Sequence, residues 1–203
     1  MRLTAIATTL LCAGFSAGLA SAQDAGKKAS TPAVDESAIM EAWQAAATPG
    51  IAHKGLAAME GNWTAKVKTW MSPTAPPTES DATSENRMAL GGRFLEQRFQ
   101  GSFMGQPFTG IGYTGYDNVR KKYVASWIDS MGTAMMVTEG SGDAGGKVIT
   151  TTGTMPDAVT KKTVAVKAVT TIVDADHTTF EMWEPDPTGR VFKTLEIHYV
   201  RKK

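Results

Sequence analysis

His53, His177 and His198 are the only imidazoles in the chain, and imidazole is the side chain that exchanges protons or binds metals near neutral pH. A zinc site wants three or four clustered nitrogen, oxygen or sulfur donors. No pair of these histidines has the short spacing that signals one. Arg93, Glu96 and Asp129 are charged residues set inside otherwise apolar segments. Facing a cavity, they would grip a polar ligand group or take part in acid–base chemistry. The competing role is structural: an ion pair, or a carboxylate serving a turn, such as Asp129 bonding the backbone near Gly132. Trp63, Trp70, Trp127 and Trp183, with Phe94, Phe99, Phe108, Tyr116 and Phe180, would stack on a flat ligand or simply fill a core. Met131, Met135 and Met136 either line an adaptable apolar pocket or fill gaps. No Gly-x-Ser-x-Gly elbow occurs, so a hydrolase signal is absent, and Gly110-x-Gly112 opens no helix, so it is not a phosphate loop.

Composition narrows the classes further. With 203 residues the chain is long enough for one domain with a real core. Its 21 basic and 20 acidic residues give +1, and loss of Arg2 would leave 20 against 20, so nothing electrostatic favours nucleic acid. Met1–Ala22 reads as a secretory signal: Arg2 is the charged start, residues 3–19 are apolar, and Ala20-Ser21-Ala22 is a small-x-small cleavage site. The apolar run is too short and too rich in Ala, Thr and Gly for a membrane span. Leu11 before Cys12 does not suit a lipoprotein signal, so the expectation is a soluble protein, cut after Ala22, in the periplasm or outside the cell. Cys12 is the only cysteine, so the mature chain would have no disulfide, thiolate metal site or cysteine nucleophile. Apolar packing alone must then hold the fold.

The elements that would position these side chains follow in order. Residues 23–34 are small, polar and proline-bearing, a disordered linker by composition. Asp35 suits a helix N-cap, Ile39, Trp43 and Ala46 keep helical spacing, and Thr48-Pro49-Gly50 stops the run. A second short helix over 53–59 leads into Gly61-Asn62-Trp63. From Trp63 the period becomes two, and turn residues divide the rest into about ten strands: 63–71, 84–90, 93–103, 106–116, 122–129, 134–139, 147–154, 163–173, 178–184 and 190–201. Val164, Val166, Ala168 and Ile172 form one apolar face, as do Leu195, Ile197 and Tyr199. Ten hairpin-connected strands suggest an all-β fold, and closing them into a single antiparallel barrel removes both edges. Gly101, Gly105, Gly110, Gly112 and Gly115 would supply its bends. About ten strands enclose more space than side chains readily fill, so a ligand cavity is expected. The proline-rich stretch 72–82 would cover one mouth.

Face assignments then sort the candidates. Tyr123, Ala125, Trp127 and Asp129 share one face, and Phe94, Glu96 and Arg98 share another; Arg93 points the other way unless the strand bulges. His198 lies opposite Leu195, Ile197 and Tyr199 and so faces water if they face inward. Some small ten-stranded barrels hold haem through one histidine on a late strand, which keeps His198 in view as an axial ligand. His53 suits a capping or packing role between helix and barrel, with catalysis as its alternative.

Several segments occur in the order found in a bacterial family catalogued as a domain of unknown function, number fifteen-seventy-nine in that series. They are Thr48-Pro49-Gly50 with His53-Lys54 and Leu56, Gly61-Asn62-Trp63, and Gly91-Gly92-Arg93-Phe94-Leu95-Glu96. Gly105 through Gly115-Tyr116-Asp117-Asn118, Lys122-Tyr123 with Trp127-Ile128-Asp129-Ser130-Met131-Gly132, and Glu196-Ile197 with Tyr199 and Arg201 complete the set. From about Met40 onward the chain resembles that family, and the resemblance implies a lipocalin-like barrel but no activity. Gly61-Asn62-Trp63 is similar to the Gly-x-Trp that opens the first strand of lipocalins, where the tryptophan plugs the closed end of the barrel.

Three functions are compatible with this reading. One is a secreted module that binds a small, partly apolar ligand through Trp127, Asp129, Glu96, Arg93, Tyr123 and Met135, with no cofactor, no nucleic acid and no fixed oligomeric state implied. The second is a haem protein or small-molecule enzyme using the same cavity with His53 or His198. The third is a structural protein of the envelope with a barrel filled by its own side chains.

Overall fold

The computed structural model describes residues 35–158 and 160–203, so the expected signal (1–22) and linker (23–34) lie outside the described residues. Two helices, α1 (Glu36–Ala47) and α2 (Ile51–Ala57), precede ten strands. These are β1 (Gly61–Thr69), β2 (Thr78–Ala89), β3 (Phe94–Phe103), β4 (Gln106–Asp117) and β5 (Lys122–Asp129), followed by β6 (Met136–Gly142), β7 (Val148–Pro156), β8 (Thr163–Ile172), β9 (His177–Pro185) and β10 (Val191–Arg201). Each strand pairs antiparallel with its sequence neighbours, and β1 pairs with β10, closing the barrel that the strand pattern predicts. No helix among the described residues is long and apolar enough to cross a membrane.

Register assigns the inner face. Trp63, Ala65 and Val67 of β1 lie opposite Ser84, Ala82 and Ser80 of β2 and Arg201, Tyr199 and Ile197 of β10. Leu95, Gln97 and Phe99 of β3 face Thr114, Gly112 and Gly110 of β4, which face Ala125, Trp127 and Asp129 of β5. The alternation in β8 and β10 puts Val166, Ala168, Ile197 and Tyr199 inside, as expected. At β3–β4 a two-residue turn joins the strands, with φ of 50° at Met104 and 76° at Gly105. Positive φ at both central residues is what a right-twisted hairpin demands.

Alpha2 closes one end. Leu56 is fully buried and packs with Met59, Leu95, Tyr123 and Ile149. Trp63, 1% exposed, donates its indole N–H to the Met59 carbonyl at 3.1 Å, and the Arg201 guanidinium covers the ring at 4.1 Å from its centroid. Arg201 also donates to the carbonyls of Ala58 and Glu60, tying the end of the last strand to the segment before the first. Thus Trp63 plugs this end.

Two local readings are corrected. The connection at the other end spans only residues 70–77, because β2 begins at Thr78 rather than at residue 84. Its first inward positions, Ser80 and Ala82, are small, so the segment carries no apolar alternation to read. Helix α1 has the expected spacing, yet it buries none of its residues: Met40 is 61% and Trp43 69% exposed.

Candidate functional site

The end opposite α2 is a mouth formed by the β1–β2, β3–β4, β5–β6, β7–β8 and β9–β10 connections. Inward-facing residues nearer the plug, such as Ala65, Ser84 and Tyr199, are buried, and so are Phe99 at mid-strand and Val166 in the mouth half of β8. Large inward-facing side chains in the mouth half, including Trp127, Met136, Met155, Met182, Phe192 and Leu195, are only partly buried. Inward-pointing side chains this close to an open end keep part of their surface in contact with solvent. Solvent therefore reaches into the mouth end of the interior, the chamber.

Trp127 dominates one wall. A methyl group built at Gly110 would lie 2.1 Å from a carbon of its six-membered ring, and one at Gly112 would lie 2.9 Å from another. The indole is therefore laid flat across two glycines of the neighbouring strand, a fit that any side chain there would prevent. Phe99 meets it edge-on, with centroids 6.3 Å apart at 69°, and Phe108 meets Phe99 in the same manner at 6.0 Å. Asp129 fixes the ring from the mouth side: Oδ2 accepts the indole N–H at 3.0 Å, and Oδ1 accepts the Met131 backbone N–H at 2.9 Å. One face of the indole rests on the wall, and the residue stays partly exposed.

Below this shelf lies a polar floor. The Gln97 amide donates to Ser84 Oγ at 3.0 Å and to the Tyr199 hydroxyl at 3.4 Å, and Ser84 donates to Asn86 Oδ1 at 2.8 Å. Asn86 in turn donates to the Met59 carbonyl at 3.0 Å, linking the floor to the plug. Burial pushes the Tyr199 phenol up, so it stays neutral. Beside Tyr199, the buried Thr178 hydroxyl has no hydrogen-bond partner among the described residues. Towards the mouth on the same strand as Thr178, burial pushes the Glu184 carboxyl above its ordinary value, against the opposing effect of the Thr194 hydroxyl that donates to it at 2.9 Å.

The structure separates the sequence-derived candidates. Trp127 and Asp129 sit together on the chamber wall. Tyr123 shares their face but lies at the plugged end, 4% exposed, packed on Leu56 and against Tyr116 at 5.0 Å. Glu96 does not face the chamber: Leu95, Gln97 and Phe99 take the inward positions of β3, and Glu96 bonds Arg98 and the Tyr113 hydroxyl outside. Arg93 belongs to the β2–β3 turn, where it donates to the Leu90 carbonyl at 2.9 Å. It borders an outer hollow of about 370 Å3 shared with His53, Phe94 and Asn118. Met135 lies before β6 and is 62% exposed at the mouth, while Met136, opposite Trp127, is the methionine that lines the wall. Among the described residues no group of three His, Cys, Asp or Glu is placed to hold a metal ion.

Neither candidate imidazole reaches the chamber. His198 projects outward opposite Lys66 and bonds Glu196 at 2.9 Å. His53 is buried beside the plug, where Nδ1 accepts the Gly50 N–H at 3.0 Å and the ring meets Tyr116 edge-on at 6.0 Å. Gln97, Ser84, Tyr199 and Glu184 were not among the sequence candidates. Their signal, polar residues at period-two positions of an inner face, emerges only once the inner face is assigned.

Comparison with solved structures places the architecture. The crystal structure of Rv2717c from M. tuberculosis is similar with a TM-score of 0.58 at 19% identity, over 77% of this chain and 100% of that one. A redesigned beta barrel matches with a TM-score of 0.38 at 11% identity, over 73% of this chain and 96% of that one. No curated protein matches the sequence. The family described as Protein of unknown function (DUF1579) matches residues 48–201, and the chain belongs to that family.

Proposed function

We propose that this protein binds a small, flat and largely apolar molecule inside its barrel and performs no covalent chemistry on it. The observation that carries this reading is the indole of Trp127, spread over Gly110 and Gly112, anchored by Asp129, pointing inward in the mouth half and only partly buried. An aromatic plane held this way gains stacking and dispersion contacts from a planar guest without losing conformational freedom on binding. Met136, Met155 and Met182 add an adaptable apolar wall. Export to the periplasm or beyond, with cleavage after Ala22, belongs to the same reading, since a carrier there would meet its ligand outside the cytoplasm.

Native mass spectrometry of protein purified from its own host tests the reading. We expect a retained molecule of a few hundred daltons, lost in Trp127→Ala and kept in Trp183→Ala, whose indole lies outside under Lys167. An empty barrel that also fails to take up naphthalene-sized probes overturns it. The mass of the secreted chain, expected to begin at Gln23, tests the export step.

A further inference from the structure

We infer that the chamber selects by charge, admitting neutral or cationic planar ligands and rejecting carboxylates and other anions. This rests on the chamber being the binding site. Among the described strand residues the inward positions carry two carboxylates, Asp129 and Glu184, and one cation, Arg201. Arg201 is unavailable: it sits at the plugged end over Trp63, donating to the carbonyls of Ala58, Glu60 and Ala175. The other lysines and arginines of the strands are at outward positions, where Lys66 pairs with Asp81, Arg98 with Glu96, Lys122 with Glu139 and Lys193 with Glu181. Lys161, Lys162 and Arg190 stand in mouth connections but are exposed, where solvent and salt screen them.

A carboxylate entering this chamber would lose its hydration and meet two like charges with no counter-ion. An ammonium group would meet the Glu184 carboxylate, whose Oε1 accepts from the Thr194 hydroxyl at 2.9 Å. A neutral amide or alcohol would find complementary groups at the floor. The Gln97 amide, the Tyr199 hydroxyl and above all the unpartnered Thr178 hydroxyl, 6% exposed at residue level, each offer a hydrogen bond that water or a guest can complete. Polarity at the bottom, aromatic area at the side and negative charge towards the mouth together describe a guest that is flat, amphipathic and not anionic.

Three probes of one shape test this: 2-naphthamide, 2-naphthylmethylammonium and 2-naphthoate, titrated calorimetrically into the folded protein at pH 7.5 and one ionic strength. We expect the amide and the ammonium to bind and the carboxylate to bind at least tenfold more weakly. Glu184→Gln should weaken the ammonium several-fold, leave the amide within twofold, and tighten the carboxylate; retained amide affinity shows that this variant is folded. Should the variant not fold, the wild-type comparison decides alone. Carboxylate affinity equal to that of the amide refutes charge selection and leaves the binding reading standing. Failure of all three probes refutes the binding reading and this inference with it.

Discussion

Replacing Gly110 by alanine should lift Trp127 off its wall. The new methyl carbon would fall 2.1, 2.7 and 2.9 Å from three atoms of the indole. Comfortable carbon–carbon contact is about 3.5–4.0 Å, so the ring must retreat by roughly 1.5 Å, against its tether to Asp129. Over-packing of this kind costs about 1–3 kcal/mol. The alanine itself returns about 0.4–1 kcal/mol by restricting the unfolded chain. At mid-range the net loss is therefore about 1.3 kcal/mol, or a fall in Tm of about 3–5 °C for a chain of this size. The informative measurement is a double-mutant cycle by urea denaturation, with near-ultraviolet circular dichroism reporting the indole. In the Trp127→Ala background the same methyl meets no ring, so Gly110→Ala should be neutral or stabilising, giving a coupling of at least about 1 kcal/mol. Equal costs in the two backgrounds, or an unchanged indole signal in the single variant, would refute the shelf.

Trp63→Ala removes the plug ring and should destabilise by about 3–5 kcal/mol, read as a lower denaturation midpoint at unchanged slope. Thr178→Val deletes a buried hydroxyl without a partner and should leave stability equal or raise it by up to about 1 kcal/mol; a clear loss would show that the hydroxyl is bonded to an internal water. Glu184 has a carboxyl pKa raised by burial, so the folded state holds its proton more tightly than the unfolded chain, and ionisation opposes folding. Glu184→Gln should therefore have the higher Tm at neutral pH, an advantage that fades as pH falls below the ordinary carboxyl range; a constant difference across pH would contradict it. Asp117, held down to about 2 chiefly by the Arg120 side chain, contributes in the opposite sense. Its share of stability is present at neutral pH and lost as pH approaches 2, and Asp117→Asn should flatten that last part of the acid-denaturation curve.

The barrel was legible because its strands announce themselves through side-chain alternation and turn chemistry. Val164 to Ile172 and Leu195 to Tyr199 alternate cleanly, and Gly91-Gly92, Asp117-Asn118 and Gly189 mark hairpins. Beta2 was half hidden because its inner face is Ser80, Ala82, Ser84 and Asn86, small and polar residues that serve the floor. Trp127 and Asp129 could be read as sharing a face, but the support for that ring comes from two glycines on another strand. Their place beneath it depends on the register of β4 against β5. Glu96 looked inward only because Phe94 beside it is large; Phe94 in fact lies over Gly115 on the outside, an apolar residue at an outer position that periodicity alone misassigns. In the sequence His53 is compatible with catalysis as well as capping; in the fold its Nδ1 accepts the Gly50 N–H, a contact that spacing alone does not reveal.

Nine of the ten strand pairings join neighbours in the chain, whereas the seam between β1 and β10 brings together Thr64 and Val200, 136 positions apart. Folding must therefore pass through a ribbon of hairpins whose two borders are still free, and free borders invite pairing with another molecule. Those borders are marked with charge on the outer face: Lys66 and Lys68 on the first, Glu196 and His198 on the last. Lys68 lies across from Glu196 in the finished seam. The same side chains that discourage a stranger from docking on the nascent edge thus attract its rightful mate, and neutralising Lys68 and Lys66 together should show first as aggregation during refolding rather than as a less stable product.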